Sequence, residues 1–517
     1  MGDKIKQTMS NNNNKRIAKN TIILYIRMIV VMFITLFTSR VILQALGVDD
    51  FGIYNVVGGV VTMMAVVNNA MAVSTQRYLT FELGKGDMQQ FKKVFSTCMT
   101  IYIALALLLV LFAETIGLWF VNNELVISPD RLFAANMVYQ FAILSSICAM
   151  IQIPYNAAII SHEKMNAFAY IGIVEAVMKL AIAYVLLVSP IDKLSLYGGL
   201  TFLSSYAIFM TYRTYCLRKF KETHYSFMWD KALTKQLISY SGWNLFGALS
   251  GVAKGQGLNI LINIYFGPAV NAARGIAYQL NNAISMLFSN FFTAVRPQIT
   301  KYYAQKNYNE MYNLVYRSSK LSFFLILVCS LPLIMEAPTI VQLWLGQLPD
   351  YVVIFVRIIV IISAVDAMST PLMTSIHASG DIKLYQFTVG IIMILTLPIS
   401  WLFLKLGFAP DAVFYISLTL STISLFIRLA IASKKTGIPF WGFIKAVIIP
   451  SIVVSIIALI PSYAVQRFIG EGILPTIAVC CVSVISVLLA AYFIGMNKKE
   501  REAINKMFLK KLKIKRK

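Results

Sequence analysis

Residues Gln236 to Pro268 read QLISYSGWNLFGALSGVAKGQGLNILINIYFGP. The stretch is long and apolar enough to cross a bilayer, which takes about 20 residues at a rise of ~1.5 Å each. Yet Lys254 sits near its middle, among Gly247, Gly251, Gly255 and Gly257. A charged side chain at that depth costs about 2.5–3.5 kcal/mol on insertion scales, so it faces protein or a water-filled cavity. Glycines let another helix or a ligand approach the backbone closely. The stretch therefore predicts a membrane helix that lines a polar path.

Composition sets the same class for the whole chain. Its 517 residues are 58% hydrophobic and 13% charged, with a mean hydropathy of +0.71; a soluble domain carries about a quarter charged residues. The formal net charge is +24. The basic residues fall in short connections and at the two ends, which points to topology and anionic lipid headgroups, with no nucleic-acid partner. Cys98, Cys148, Cys216, Cys329, Cys480 and Cys481 lie within or at the ends of apolar runs and form no C-x-x-C pair. They read as small buried hydrophobes. His162, His224 and His377 are far apart and lack zinc spacing, so no metal or cofactor is expected. The N-terminus is polar and basic and runs into a full-length span, so no cleaved leader is expected.

The span-length rule predicts an all-α polytopic membrane protein of about fourteen helices. The first six lie near Thr21–Leu46, Phe51–Ala72, Val94–Val121, Leu132–Ile160, Phe168–Val188 and Ser195–Cys216. Six more lie near Ile238–Phe266, Val270–Val295, Leu321–Leu345, Tyr351–Ile376, Tyr385–Leu406 and Ala412–Ala432, and two close the chain near Phe443–Val465 and Ile473–Ile494. An even count puts both termini on one side. The basic ends and the connection RKFKETHYSFMWDKALTK make that side cytoplasmic, because the opposite loops hold almost no Lys or Arg. No loop is long enough to fold as a soluble domain, and no sizeable outer loop or carboxylate motif at the membrane face supports a glycan polymerase or ligase.

The chain also repeats itself at a spacing of roughly 220 residues. Arg77 matches Arg296, Phe91 matches Tyr312, Val94 matches Val315, and Glu114 and Trp119 match Glu336 and Trp344. Six spans per copy is an even number, so the copies share one orientation and predict two pseudo-symmetric lobes with a site between them. The expected division is 1–235 for the first lobe, 236–434 for the second, and 435–517 for two further helices and a basic tail.

Fourteen spans in this arrangement, with basic amphipathic connections after the second and eighth, resemble the multidrug/oligosaccharidyl-lipid/polysaccharide exporter superfamily. The stretch TLFTSRVILQALGVDDFGIYNVVGGV resembles its polysaccharide-transporter branch, the Wzx-type flippases, in which an arginine in the first span precedes a glycine-bearing turn into the second. The resemblance implies a non-enzymatic flippase. It would move undecaprenyl-pyrophosphate-linked oligosaccharide, for O-antigen, capsule or exopolysaccharide, across the bacterial cytoplasmic membrane. It would act as a monomer, with a polysaccharide polymerase and other assembly proteins as partners. A multidrug exporter or a peptidoglycan-precursor flippase of the same fold is the alternative.

A pyrophosphate head needs cations at several depths, because a phosphate does not cross hydrocarbon unpaired. Counted inward from Gly47 and Gly267 as outer ends, Arg40 lies roughly 10 Å deep, Lys254 about 20 Å and Arg27 about 30 Å. These three, with Arg274 and Arg357 near the outer face, are the candidate substrate-binding residues, snorkelling being the alternative for all but Lys254. Arg428 reads as snorkelling at the cytoplasmic end. Asp366 has no partner one turn away on its own helix and is a candidate site for coupling to H+ or Na+ or a partner of Lys254. Glu175 is the other coupling candidate, although Lys179 four residues on is placed to neutralise it. In the register that aligns Gly47 with Gly267, Lys254 falls opposite apolar Ile34, so this charge belongs to one copy only.

Overall fold

The computed structural model describes residues 2–62, 65–123, 128–228, 230–346, 348–470, 472–498, 500–502 and 505. Side chains are described for these except 2–15, 36, 39–40, 43, 48–49, 51–52, 55–56, 58–62, 65–67 and 469. In chain order the helices are α1 (Gly2–Thr62), α2 (Ala65–Lys85), α3 (Met88–Phe112), α4 (Leu118–Asn123), α5 (Leu132–Ser161), α6 (Met165–Val188), α7 (Lys193–Lys219) and α8 (Lys231–Ala304). There follow α9 (Tyr308–Leu345), α10 (Val352–Ser379), α11 (Lys383–Lys405), α12 (Ala412–Thr436), α13 (Phe440–Phe443), α14 (Ile449–Ile469) and α15 (Ile473–Ala490).

Among the described residues eleven segments are long and apolar enough to cross a membrane. The difference from about fourteen lies in α1 and α8, each of which is two helices joined at a bend. The second leg of α1 and α2 cover the second expected span, part of which lies outside the described residues. The two legs of α8 cover the seventh and eighth. They fall short on hydropathy because they carry Lys254, Gln256, Asn259, Asn263, Arg274, Gln279, Asn281 and Asn282.

The two bends are the same bend. Gly47 in α1 has φ 78° and ψ 176°, and Gly267 in α8 has φ 78° and ψ −177°. This backbone region is essentially closed to residues with a Cβ. Conserving it at both ends of a 220-residue spacing is the backbone signature of the duplication. A second pair of distortions falls at the matched glutamates. Glu114 lies in a π-turn, Ala113–Gly117, between α3 and α4, where the Ala113 carbonyl accepts both the Leu118 amide and, at 2.8 Å, the Tyr139 hydroxyl. Glu336 leaves helical geometry (φ −113°, ψ 24°) within α9, two residues before Pro338.

By packing, the chain forms two units. The first comprises residues up to 248 together with Thr293–Asn307; the second comprises Leu249–Phe292 and the residues from Tyr308 onward. The ends of both α8 legs therefore belong to the first unit and the middle of α8 to the second. The first unit has a core of Val121, Ala135, Val138, Tyr139 and Leu194. On its surface Arg131 pairs with Asp50 and, at 2.8 Å, with Asp192. The second unit has a core of Ile262, Ala277, Val352, Phe355 and Phe414. In it α14 and α15 pack on α9 through Val454, Val479 and Val487 against Phe324, Leu327 and Met335. Glu336 fastens both, accepting from Gln466 at 3.1 Å and Thr476 at 2.9 Å.

The entry to α8 is capped by Asp230, which accepts from the Leu233 amide at 2.9 Å and pairs with Lys93 at 2.6 Å. Lys93 and that amide hold its carboxyl below the ordinary range. The cap thus stands at neutral pH and is lost as acid protonates it.

The bend makes a prediction that open space alone would not. Nothing lies within 4 Å of a Cβ added at Gly267 or at Gly275. Gly267→Ala is nevertheless expected to cost about 1–3 kcal/mol through backbone strain. Gly275→Ala, in ordinary helix, is expected to be neutral or to gain up to about 1 kcal/mol. Thermal unfolding of the two variants in detergent checks the contrast; equal effects would remove the strain argument.

Candidate functional site

On α12, Ser417, Ser421, Ser424 and Arg428 recur at helical spacing and are all buried. This polar stripe faces inward, and its last member meets α10. Arg428 Nη1 lies 3.7 Å from Asp366 Oδ1 and donates to Ser369 Oγ. Tyr385 of α11 lies within electrostatic reach of both Arg428 and Asp366, and Tyr278 of α8 within reach of Asp366. Lys254, on the first leg of α8, interacts electrostatically with Asp366 and Arg428. Lys254 makes no closer ion pair or hydrogen bond among the described residues. Lys254, Asp366 and Arg428 therefore form one cluster inside the second unit, drawn from α8, α10 and α12.

The geometry of the cluster is layered. Asp366 is 47% exposed, while Arg428 behind it is 8% exposed. The neighbours of the carboxylate are cations and tyrosines, so the space it faces is polar. Two cations against one carboxylate leave a formal unit of positive charge in the cluster. Such an excess is costly unless an anion or water meets it. The arrangement is suited to holding an anionic group at Lys254 and Arg428, and a proton or small cation at Asp366.

Arg428 is the residue the sequence reading placed wrongly. Snorkelling needs a side chain that reaches the membrane surface, whereas this one turns into the protein and is buried. The signal was present as the serine stripe, which marks the face of α12 that looks inward.

The other expected cations have local partners. Arg274 donates to the Gly255 carbonyl at 2.7 Å and to Asn259 at 3.2 Å, and lies over the Tyr278 ring at 4.6 Å. It joins the two legs of α8 one residue from Lys254. Arg357 donates from Nε to the Ile334 carbonyl at 2.8 Å. The ordinary helical donor to that carbonyl is missing, because the residue four positions on is Pro338, which has no N–H. Asn281 accepts from Ser363, bonding α8 to α10.

In the first unit, Arg27 lies over the Phe168 ring at 4.5 Å. Its Nε fills the notch at Gly172, where an added Cβ would sit 2.4 Å away. Glu175 pairs with Lys179 at 2.7 Å within α6, the neutralising arrangement that the spacing allowed. Arg40 lies on α1, and its side chain is outside the described residues. Among the described side chains, Lys254 and Asp366 meet in the cluster, Arg274 borders it through Gly255 and Tyr278, and Arg27, Arg357 and Glu175 have the local partners just given.

No family model matches the chain, and no curated protein matches it. Solved structures do. A MATE transporter in complex with MaD3S aligns with TM-score 0.70 and 12% identity over 82% of this chain and 96% of that one. An outward-facing multidrug resistance MATE transporter of the MOP superfamily aligns with TM-score 0.66 and 11% identity over 81% and 96%. A MOP superfamily transporter from Pyrococcus furiosus aligns with TM-score 0.65 and 12% identity over 81% and 96%; its pocket is described as reversed in polarity, suggesting a different function. The chain therefore has a MATE-like transporter fold.

The Arg357 contact yields a double-mutant test. Arg357→Met leaves the Ile334 carbonyl unsatisfied and is expected to cost about 1–3 kcal/mol. In a Pro338→Ala background, where residue 338 regains its N–H, the same substitution should cost well under half as much. Equal costs in both backgrounds, measured by unfolding in detergent, would show that Arg357 does not serve that carbonyl.

Proposed function

We propose that the chain is an exporter that moves an anionic lipid-linked oligosaccharide across the bacterial cytoplasmic membrane by alternating access, with both termini cytoplasmic. The observation that carries this reading is the excess positive charge at Lys254, Asp366 and Arg428. A pyrophosphate head group matches it in sign and offers several acceptor oxygens to Lys and Arg. The lipid tail would stay in the bilayer while the head group rides in the protein. The polysaccharide-transporter resemblance of the first turn supports the same cargo, with polymerase and other assembly proteins as partners and a monomer as the working form.

The runner-up is a multidrug exporter, as one solved neighbour is described. An organic cation would be repelled by the net charge of this cluster. The Pyrococcus furiosus transporter, with its reversed pocket polarity and suggested different function, supports sorting members of this fold by pocket charge. A peptidoglycan-precursor flippase shares the anionic head group and is compatible with the same cations. Glu175 is paired with Lys179, so any coupling to H+ or Na+ falls to Asp366.

Deletion of the gene should cause undecaprenyl-linked oligosaccharide to accumulate and surface polysaccharide to fall. Normal polysaccharide with no accumulated intermediate would refute the reading. At the residue level, Lys254→Ala is expected to lower export at least tenfold at unchanged protein level, with Lys254→Arg retaining most of it. Full export by Lys254→Ala would exclude this lysine from the site.

A further inference from the structure

Glu163 is a buried carboxylate of the first unit that carries two cationic partners. It lies in the turn between α5 and α6, and its side chain is 1% exposed. Arg16 Nε approaches Oε2 at 2.8 Å, Lys301 Nζ approaches Oε1 at 2.5 Å, and Gln298 Nε2 donates to Oε2 at 2.5 Å. The Asn20 amide reaches the backbone carbonyl of the same residue at 3.5 Å. One carboxylate thus gathers the start of α1, the α5–α6 turn and the end of α8.

Three features separate this cluster from an ordinary helix-end contact. First, Glu163 holds φ 56°, a left-handed conformation that glycine adopts at lower cost. Lys306 holds the same φ in an exposed turn, so what sets Glu163 apart is the burial of its carboxylate among Arg16, Gln298 and Lys301. Second, the matching positions differ in charge. The residue of left-handed φ in the α10–α11 turn is Gly380, so Glu163 has an uncharged counterpart there, and in the register that aligns Arg77 with Arg296, Lys301 matches Glu82. Third, the segment it holds is second-copy sequence. Thr293–Asn307 follows the eighth span, yet it packs within the first unit. There, Ala294 is buried with Leu24 and Met165. Gly84 at the end of α2 lies so close that an added Cβ would be 2.9 Å from the Ala304 Cβ.

We propose that Glu163 is a latch that holds the end of α8 in the first unit and must open in each transport cycle. If the two copies move against each other, a second-copy segment fastened among first-copy helices has to be released and recaptured. The contacts suit that task. A charged hub with several hydrogen bonds is geometrically specific, and water that enters can solvate its parts once they separate. The latch rests on the alternating-access part of the functional reading and holds whatever the cargo.

The test uses the full-length protein carrying Ala294→Cys as a buried reporter. A membrane-impermeant maleimide is added to inside-out and right-side-out vesicles, and labelling is read by peptide mass spectrometry. Native Cys329, half-buried in the second unit, serves as the control. Glu163→Gln, which keeps the shape, and Glu163→Gly, which relaxes the turn, are each expected to speed labelling at position 294 at least tenfold with Cys329 unchanged. Reporter rates within twofold of the parent in both variants would overturn the latch. So would parallel acceleration of both cysteines in both variants, which would make Glu163 a general anchor of the fold. Because labelling needs no cargo, these outcomes are independent of whether the lipid-linked glycan assignment stands.

Discussion

A cation inside a membrane protein has to be met by protein or by water, and that constraint organises the second unit. Arg274 is met by the Gly255 carbonyl and Asn259. Arg357 is met by the carbonyl that Pro338 leaves open. Lys320, also buried, is met by Glu500 at 2.7 Å and the Gly495 carbonyl at 3.0 Å. Arg428 has Ser369 and a share of Asp366. Lys254 has only the longer-range field of a carboxylate already shared with Arg428. Of these five cations, Lys254 is the one without a hydrogen bond or close ion pair among the described residues. It is where an incoming anion would gain most.

The same reasoning separates what recurs at the repeat spacing from what does not. The bends at Gly47 and Gly267 share one backbone geometry, and distortions also fall at the matched Glu114 and Glu336. Lys254 falls opposite Ile34 in the register of the copies, and the left-handed turn position of Glu163 corresponds to Gly380. These asymmetric charges are not required by the repeated architecture. One sits in a cluster of two cations around one carboxylate, the other where Thr293–Asn307 packs within the first unit.

Much of this was legible in the sequence, for identifiable reasons. Span length and apolar content define the membrane helices directly, and polar residues at a fixed spacing expose the repeat. Lys254 and Asp366 stood out because each lacked a partner within its own helix. Arg428 was misread because depth counted along one helix says nothing about which way that helix faces, although its serine stripe did say so. Arg357 and Arg274 depended on a proline-freed carbonyl and a cross-leg amide, which only the folded backbone brings into range. Glu163 escaped notice because it lies in a short basic connection, where an isolated glutamate ordinarily sits in solvent. Its partners come from residues 16, 298 and 301, far off in the chain.

The central claim is that the Lys254–Asp366–Arg428 cluster selects an anion. The most direct measurement is equilibrium binding to the purified protein in lipid nanodiscs, comparing a short-chain prenyl pyrophosphate with a lipophilic organic cation of similar size. The account predicts that the pyrophosphate binds at least tenfold more tightly, that added salt weakens it, and that Lys254→Ala removes the preference. Tighter binding of the organic cation, unaffected by that substitution, would contradict it.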